Sequence, residues 1–188
     1  MADYLFKPIV LVFAGPNGSG KTTVTRSLDL VGTYINADDI KKDYGLTDLE
    51  AAQQAELLRN KLLNKGLDFS FETVMSTERN LLLMQKAKEC GYEVQCIYVL
   101  TCDENINIAR VKARVASGGH DVPEDKIRVR YNRALKLLPQ VVDVCDKILI
   151  YDNSDMPILI ASKDINGMKI FPSAFWPEAG IKELLGIC

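Results

Sequence analysis

The sequence lacks several features that would each point to a particular class of protein. It has one histidine and five cysteines without a C-x-x-C pair, so a disulfide framework and a zinc site are not expected. The formal net charge is −2, which gives no electrostatic reason to expect nucleic acid or an anionic membrane as a partner. No run approaches 18 apolar residues, and the first residues do not follow the pattern of a secretory signal. We therefore expect a cytoplasmic protein.

The remaining composition is that of an ordinary globular chain. Hydrophobic residues make up 47% of the 188 positions and charged residues 26%, which is enough apolar material for one substantial core. The hydropathy pattern contains no internal repeat, linker or low-complexity tract. We expect residues 1–188 to form a single domain.

Apolar runs alternate with helical stripes along the chain, which predicts an α/β fold. The predicted strands are Ile9–Ala14, Thr33–Asn36, Asp68–Glu72, Glu93–Leu100 and Lys147–Tyr151. The predicted helices are Lys21–Leu28, Thr47–Lys65, Thr77–Cys90, Glu104–Ala116 and Pro123–Leu138. Continuous apolar strands separated by helices indicate a mostly parallel sheet with helices on both faces. A hairpin over 158–171 and a short helix over 177–185 are predicted to follow.

The segment after the first predicted strand fits the pattern G-x-x-x-x-G-K-[ST], which is typical of a phosphate-binding loop. Its glycines allow backbone N–H groups to converge on phosphate oxygens, and the following helix adds its positive end. Lys21 is expected to reach the β- and γ-phosphates, and the Thr22 hydroxyl to bind Mg²⁺. A Gly-rich turn without a ligand is the alternative. The predicted nucleotide-binding residues here are Gly15, Pro16, Asn17, Gly18, Ser19, Gly20, Lys21, Thr22 and Thr23.

Two acidic positions lie at the ends of predicted strands, where ligands of open α/β sheets bind. Asp38 is the candidate to accept a proton from a substrate hydroxyl, with Asp39 as the second choice; either could instead cap the next helix. Glu72 could bind a substrate hydroxyl or hold a water on Mg²⁺, or simply face solvent. Further substrate contacts are predicted from Thr73, Ser76 and Arg79.

Basic residues cluster between positions 110 and 133, around a glycine-containing connector. Arg110 and Arg114 share one helical face and could neutralise charge on a transferred phosphoryl group. Gly118 and Gly119 give the connector the flexibility to close over a nucleotide, so that 110–133 would act as a lid. Solvated helix faces are the alternative. The second basic set is Lys126, Arg128, Arg130 and Arg133, with His120 on the connector.

Other nucleotide-binding classes fit less well. A GTPase needs N-K-x-D to read guanine, and the nearest match, over 64–68, has the wrong spacing. The polar stretch 152–155 is predicted to form a turn near the adenine, because Asp, Asn and Ser favour turns.

Taken together, these segments resemble the short form of the zeta-toxin family of P-loop kinases. The matching segments, in family order, are 15–22, 35–40, 71–76, 91–94 and 110–123. The resemblance implies a three-layer P-loop NTPase fold like that of nucleoside and shikimate kinases. It also implies ATP with Mg²⁺ and transfer of the γ-phosphate to a hydroxyl of a small molecule. In the best-known members this acceptor is a UDP-linked N-acetyl amino sugar, and a small antitoxin protein blocks the ATP site.

The resemblance also assigns roles to individual residues. The family base corresponds to Asp38, the substrate-contacting glutamate to Glu72, and an ATP-contacting arginine to Arg114, or to Arg110 with a shifted helix register. Longer members read E-G-T-L-R where this chain has Glu-Thr-Val-Met-Ser. A second lid arginine of those members falls near His120, so Arg130 or Arg133 could replace it.

The leading hypothesis is an ATP-dependent kinase acting on a small molecule, without nucleic-acid or membrane partners. Its predicted catalytic residues are Lys21, Asp38 and Arg114. Its predicted acceptor-binding residues are Asp38, Glu72, Thr73, Arg79 and Arg130. One alternative is a nucleotide-dependent switch read by a protein partner. Another is a kinase for a nucleoside, antibiotic or other metabolite.

Overall fold

The computed structural model describes residues 7–25 and 28–187, which alternate between strands and helices. In chain order the elements are β1 (Ile9–Ala14), α1 (Lys21–Thr25), β2 (Thr33–Ile35), α2 (Ala37–Tyr44), α3 (Asp48–Asn64), β3 (Phe69–Thr73), α4 (Glu78–Glu89), β4 (Glu93–Leu100), α5 (Glu104–Ala116), α6 (Glu124–Val144), β5 (Lys147–Asp152), β6 (Ile158–Asp164), β7 (Gly167–Ile170) and α7 (Glu178–Leu185). The predicted helix over 21–28 includes residues 26 and 27, which lie outside the described ranges.

The described strands form one seven-stranded sheet in the order β2-β3-β1-β4-β5-β6-β7. Strands β1 to β5 run parallel, while β6 and β7 form the antiparallel hairpin at one edge. The α/β prediction, a mostly parallel sheet in three layers, is therefore confirmed. Since β1 pairs with β3 on one side and β4 on the other, the carboxyl ends of all three strands meet at one edge.

Both faces of the sheet are apolar, which is why its strands read as continuous apolar runs. The larger core lies under α3, α4, α6 and α7, and includes Phe69 and Phe71, whose rings stack 6.1 Å apart. The smaller core on the other face joins Leu11 and Phe13 to Val24 of α1. Cys96, within the apolar run of β4, lies in the larger core at 2% exposure.

Helix α2 is the one described helix that the sequence pattern did not predict. None of its eight residues is buried, and its contact with the larger core is limited to the partly buried Ala37 and Ile40, so its apolar signal is weak. Instead its ends define it. Asn36, predicted as a strand residue, is its N-cap and accepts a hydrogen bond from Asp38 N at 2.9 Å, and Gly45 ends it with a φ of 66°. Neither Asp38 nor Asp39 is therefore the helix cap.

Helix α6 extends six residues beyond the predicted end at Leu138, because Pro139 does not terminate it. A proline inside a helix removes one backbone hydrogen bond and destabilises by about 3 kcal/mol. The following turn buries Val141 and Val142 against the core, and each buried valine contributes on the order of 1.5–3 kcal/mol. Core packing therefore outweighs the loss and continues the helix to Val144.

Apart from the end of α1, the other boundaries match the predictions or differ from them by one residue. Thr47, Thr77 and Pro123, predicted as first helical residues, are the N-cap positions of α3, α4 and α6. At Thr47 the cap is reciprocal with Glu50, whose carboxylate accepts from the Thr47 backbone N–H at 2.9 Å. Within residues 7–25 and 28–187, no helix is both long enough and apolar enough to span a bilayer.

Candidate functional site

Residues 15–20 form a tight loop between β1 and α1 in which glycine is sterically required. Gly18 and Gly20 have φ angles of 77° and 86°. A Cβ on Gly18 would lie 2.4 Å from Asn107 O, and one on Gly20 would lie 2.2 Å from Asn153 Nδ2. Any side chain there would push the loop away from α5 and from the turn after β5. The cradle predicted from the glycine pattern is therefore held in place by its surroundings.

Two buried asparagines fix the loop from behind. Asn107 Nδ2 donates to Asn17 O at 2.7 Å, and Asn153 Nδ2 donates to Ser19 O at 2.8 Å. The Thr101 hydroxyl donates to Asn107 Oδ1 and so fixes the orientation of that amide. Sequence analysis gave Asn107 no role and placed Asn153 only in a turn. The available signal for Asn107 was a polar residue next to Ile108 on the buried stripe of a predicted helix.

Lys21 lies folded against the loop, with its side chain buried. Its Nζ donates to Gly15 O at 2.8 Å and Pro16 O at 3.2 Å, and it lies 3.8 Å from Glu72 Oε1. Burial lowers the pKa of Lys21, while the nearby carboxylates of Glu72 and Asp38 act in the opposite direction. These contacts hold the ammonium group at the mouth of the loop.

A cavity of about 300 Å³ opens in front of this loop; we call it the loop cavity. It is lined by Asn17, Gly18, Gly20, Lys21, Thr22, Thr23, Asp38, Glu72, Val74, Arg110, Val111 and Arg114. Thr22 and Thr23 are exposed there, whereas Ser19 is fully buried and its Oγ has no hydrogen-bond partner among the described residues. The loop cavity therefore gathers most of the predicted nucleotide and catalytic residues.

The loop cavity suits a divalent cation that arrives with phosphate. Within the described ranges, no group of three or more His, Cys, Asp or Glu side chains could hold a metal ion. Mg²⁺ keeps several waters and is usually held by phosphates with one or two protein oxygens. The Thr22 hydroxyl, exposed beside the glycine cradle, is such an oxygen, so the donor set fits Mg²⁺ bound together with a nucleotide.

The carboxylates of Asp38 and Glu72 both line the loop cavity. Asp38 lies in the first turn of α2 and is exposed to the cavity, while Glu72 lies near the end of β3. The Tyr34 hydroxyl donates to Glu72 Oε2 at 3.4 Å and accepts from Asn36 Nδ2 at 3.2 Å. Burial and the Glu72 carboxylate raise the pKa of Tyr34 to about 12, which keeps its proton available to Glu72. Glu72 is thus anchored between Tyr34 and Lys21.

The two candidate arginines on α5 have different partners. Arg110 donates to Asn153 O at 2.6 Å and Ser154 O at 3.1 Å, so it fixes the turn predicted to lie near the adenine. Arg114 donates to His120 O at 2.7 Å on the connector between α5 and α6, residues 117–123. Arg110 therefore supports the turn after β5, whereas Arg114 contacts the connector of the predicted lid.

The connector reaches α2 and α3 through a small polar cluster. His120 Nε2 lies 2.9 Å from Lys41 Nζ, and Asp48 Oδ1 lies 2.7 Å from the same nitrogen and 3.7 Å from His120. On the neighbouring helix, Arg130 donates to Asn17 Oδ1 at 3.3 Å. Lys41 was missed by sequence analysis because α2 was not predicted.

A second cavity, of about 680 Å³, opens beside the end of β3; we call it the side cavity. Its polar and charged lining includes Arg59, Glu72, Thr73, Arg79, Arg130 and Arg133. The Thr73 Oγ1 accepts from Met75 N at 3.0 Å and Asn80 Nδ2 at 2.7 Å, so this hydroxyl holds the turn after β3. Glu72 and Val74 line both cavities, which therefore adjoin.

Arg59 is a charged residue of the side cavity that sequence analysis missed. It lies on the buried stripe of α3, at a spacing of four from Ala55 and Leu63. The available signal was a charged residue on an otherwise apolar stripe, where a charged side chain is rare unless it has a partner. Arg79, by contrast, was predicted; it lies 3.4 Å from Glu56 Oε2 and lines the same cavity.

A sequence model described as Zeta toxin matches residues 5–164 of this chain. The chain belongs to the zeta toxin family. A protein of Haemophilus influenzae, described only as uncharacterized, is 34% identical over 127 residues, which cover 64% of this chain and 91% of that protein. The resemblance inferred from the motifs is thereby confirmed.

Two solved structures share the fold of this zeta toxin family member. The structure of AvrRxo1-ORF1:-ORF2 with ATP matches at a TM-score of 0.74 and 14% identity, over 96% of this chain and 64% of that one. A structure of the PezAT chromosomal toxin–antitoxin system of Streptococcus pneumoniae matches at a TM-score of 0.57 and 20% identity, over 81% and 70%. This chain spans just under two thirds of the longer AvrRxo1 chain.

Proposed function

We propose that this protein is an ATP-dependent kinase that transfers the γ-phosphate to a hydroxyl of a small molecule. The observation that carries the proposal is the loop cavity, where a glycine-clamped loop, Lys21, Asp38 and Arg114 surround one space. Membership in the zeta toxin family and the fold shared with a structure solved with ATP support it. Catalysis of phosphoryl transfer consists mainly of positioning and charge stabilisation, which this arrangement can supply.

The nucleotide would be held by the backbone of residues 15–20 and by Lys21. In the structure Lys21 Nζ is directed to the carbonyls of Gly15 and Pro16, and a short movement of its flexible stem reaches the cavity. Thr22 would hold Mg²⁺, which neutralises phosphate charge when bound. The Arg110-supported turn at Asn153 and Ser154 would border the base.

The transfer itself would use the two carboxylates in separate roles. The acceptor oxygen forms a bond to the γ-phosphorus, the bond from that phosphorus to the β–γ bridging oxygen breaks, and ADP leaves. The proton of the acceptor hydroxyl passes to Asp38, which is exposed to the cavity. Glu72, anchored by Tyr34 and close to Lys21, positions the acceptor. Lys21 and Arg114 offset the negative charge that accumulates on the transferred group.

We further propose that the side cavity holds the acceptor, because it adjoins the loop cavity at Glu72. UDP-linked N-acetyl amino sugars are the first candidates, with nucleosides, antibiotics and other hydroxylated metabolites as alternatives. Residues 1–188 would act as one kinase domain, with 110–133 as its lid. The PezAT toxin–antitoxin system supports the proposal that a small antitoxin-like protein binds this chain.

The test is a transfer assay with the purified chain, Mg²⁺ and isotopically labelled ATP. We expect one acceptor in a panel of UDP-linked sugars, nucleosides and a metabolite extract to gain the mass of one phosphoryl group. Lys21→Ala should abolish this product. Lys112→Ala is the matched control, since Lys112 is an exposed lysine paired with Glu124 at 2.9 Å.

Two results would contradict the proposal. Full transfer by Lys21→Ala would show that the loop does not hold the reacting phosphates. Nucleotide-dependent binding of a protein partner, without any phosphorylated product across the panel, would favour the switch instead.

A further inference from the structure

The connector of residues 117–123 is tied to two sides of the site through a single residue, His120. Its carbonyl oxygen accepts a hydrogen bond from Arg114 Nη2 at 2.7 Å, and its ring Nε2 lies 2.9 Å from Lys41 Nζ on α2. Arg114 lines the loop cavity, and α2 also carries Asp38. A displacement of His120 would therefore move the arginine relative to the helix that carries the proposed base.

Lys41 is the centre of this contact. Its Nζ lies within hydrogen-bond distance of His120 Nε2 and, at 2.7 Å, of Asp48 Oδ1 in the first turn of α3. A lysine ammonium group can only donate, so Nε2 accepts and the imidazole proton lies on Nδ1. The hydrogen bond from Lys41 and its charge lower the pKa of Asp48. Lys41, Asp48 and His120, which we call the polar cluster, thus join α2, α3 and the connector.

The middle of the connector has few other attachments. The N–H groups of residues 120–122 donate to no backbone carbonyl among the described residues. On one side, Gly118 has a φ of 82°, and an added Cβ there would meet no atom within 4 Å. On the other side, Val122 packs against a small apolar cluster that contains Ile127 and is separate from the two larger cores. Within the described ranges, the polar cluster therefore supplies the hydrogen bonds and ion pairs that link His120 to α2 and α3.

The polar cluster borders a third cavity, of about 300 Å³, between the connector and α2. Lys41, Asp48 and His120 all line it, and Asp38 and Arg114 line both this cavity and the loop cavity. The two spaces therefore adjoin at the proposed base and the proposed catalytic arginine. Since Asp38 and Lys41 are three positions apart on α2, they share one face of that helix. A connector that contacts Lys41 is thereby held against the face that carries Asp38.

We propose that the polar cluster positions Arg114 for phosphoryl transfer by holding the connector against α2. The inference rests on the proposed function for the role of Arg114 in transfer, but the cluster itself stands on the contacts of its three members. Lys41, Asp48 and His120 are positioning residues, which act through Arg114 without touching the reacting atoms. The Asp48 side chain is 78% exposed, and exposed ion pairs are weak. The cluster should therefore favour the arrangement with the connector on α2 by about fivefold.

The first test observes the polar cluster without turnover. The chain contains one histidine, so a preparation without a histidine tag gives a single set of imidazole nitrogen signals in NMR. At about pH 8 we expect the native chain to carry the imidazole proton on Nδ1, because Nε2 accepts from Lys41. Lys41→Ala should shift the imidazole toward the other tautomer.

Lys42→Ala is the matched control for this measurement. Lys42 is the next residue of α2, is exposed and makes no ion pair among the described residues. Its variant should give the native imidazole signals. Native signals in Lys41→Ala, or a proton on Nε2 in the native chain, would overturn the inference.

The second test measures whether the polar cluster acts in transfer. Lys41→Ala and His120→Ala should each lower kcat about fivefold and leave the KM for ATP within twofold, because a misplaced Arg114 weakens binding of the transition state alone. His120→Gln should retain most of the activity, since its amide oxygen can accept from Lys41. Lys42→Ala should transfer phosphate at the native rate.

A double-mutant cycle identifies the residue through which the polar cluster acts. In an Arg114→Gln chain, adding Lys41→Ala should lower kcat no further. The same loss in both backgrounds would show that Lys41 acts independently of Arg114, and would overturn the positioning role. The Nδ1 tautomer in a chain that phosphorylates no acceptor would refute the kinase but retain the contact between the connector and α2. Transfer that neither Lys41→Ala nor His120→Ala slows would retain the kinase and refute the inference.

Discussion

The loop cavity is shaped by backbone atoms, whereas the side cavity is shaped by long side chains. In the first, nine consecutive residues, 15–23, and two buried asparagines set the geometry, and an added Cβ at Gly18 would meet a carbonyl at 2.4 Å. In the second, arginines from α3, α4 and α6 converge from positions 59 to 133. A binding loop whose shape depends on backbone atoms and glycines tolerates almost no substitution. A pocket lined by flexible arginine side chains can bind a different ligand after only a few of them are substituted.

The largest effect should come from the carboxylate of Asp38, which lines the loop cavity. In Asp38→Asn we expect kcat to fall about 10³-fold while the KM for ATP changes little, because a general base acts only in the transition state. Asp39→Asn is the control, since Asp39 is exposed on the same first turn of α2. Steady-state kinetics of both variants check this. Unchanged turnover in Asp38→Asn would remove this residue from the mechanism.

A pair of arginine variants tests whether the two residues on α5 differ as their contacts indicate. Arg114→Gln should lower kcat about 10²-fold, as expected when one donor to the transferred phosphate is lost. Arg110→Gln should instead raise the KM for ATP, because it frees the turn at Asn153 and Ser154. The same kinetic assay distinguishes them. Reversed effects would indicate that Arg110 is the catalytic arginine.

Alanine substitutions at Gly18 and Gly45, which both have positive φ angles, distinguish the effect of a steric clash from that of backbone strain. Gly18→Ala brings a Cβ within 2.4 Å of Asn107 O, and we expect nucleotide affinity to fall roughly 30-fold, about 2 kcal/mol. Gly45→Ala has a comparable φ of 66° but meets no atom within 4 Å. It should lower the free energy of unfolding by about 1 kcal/mol and leave nucleotide binding unchanged. Titration calorimetry with an ATP analogue and thermal unfolding give the two readouts, and equal nucleotide affinities would contradict the clamp.

The smallest effect concerns Tyr34, which supports Glu72 between the two cavities. Its pKa is raised from an ordinary value near 10 to about 12, so the unfolded state releases this proton first as the pH rises. Stability linked to Tyr34 is therefore complete below pH 10 and decreases between pH 10 and 12. Since Tyr34 is partly exposed and solvent screens its interaction with Glu72, we expect about 1 kcal/mol.

Comparing the unfolding free energies of the native chain and Tyr34→Phe at pH 9 and pH 12 checks this prediction. The Tyr34→Phe chain should lose less stability over this interval. Tyr44→Phe, at an exposed position on α2, should behave like the native chain. Parallel losses in all three proteins would show that Tyr34 is not coupled to Glu72.

The loop region could be predicted from the sequence because its determinants are consecutive. Glycine spacing, the preceding apolar strand and Lys21 all lie within 15 residues, and steric exclusion by backbone atoms leaves few alternatives. Helices α3, α4 and α5 were predicted to within two residues for a related reason, since buried stripes and caps lie in the same stretch of chain. The loop and these three helices could therefore be predicted from short stretches of sequence.

The side cavity could not be predicted in the same way, because its members meet only in the folded chain. Arg59 and Arg133 are 74 positions apart, and each alone resembles an ordinary charged helix residue. Helix α2 has no buried residue, so hydropathy did not predict it and Lys41 was missed. The available signal was its two caps, Asn36 and Gly45. The continuation of α6 past Pro139 depended on core contacts that no single segment contains.

The strand order has a consequence for how such a protein can diversify. Because β1 separates β3 from β4, the partners of the phosphate loop come from α5 and the segment after β5 on one flank, while Arg59 and Arg79 come from helices bordering β3 on the other. Substitutions on the β3 flank leave the asparagine supports of the loop intact. Redesigning α3 and α4 alone could therefore change which ligand the side cavity recognises, while the loop of residues 15–20 keeps its geometry.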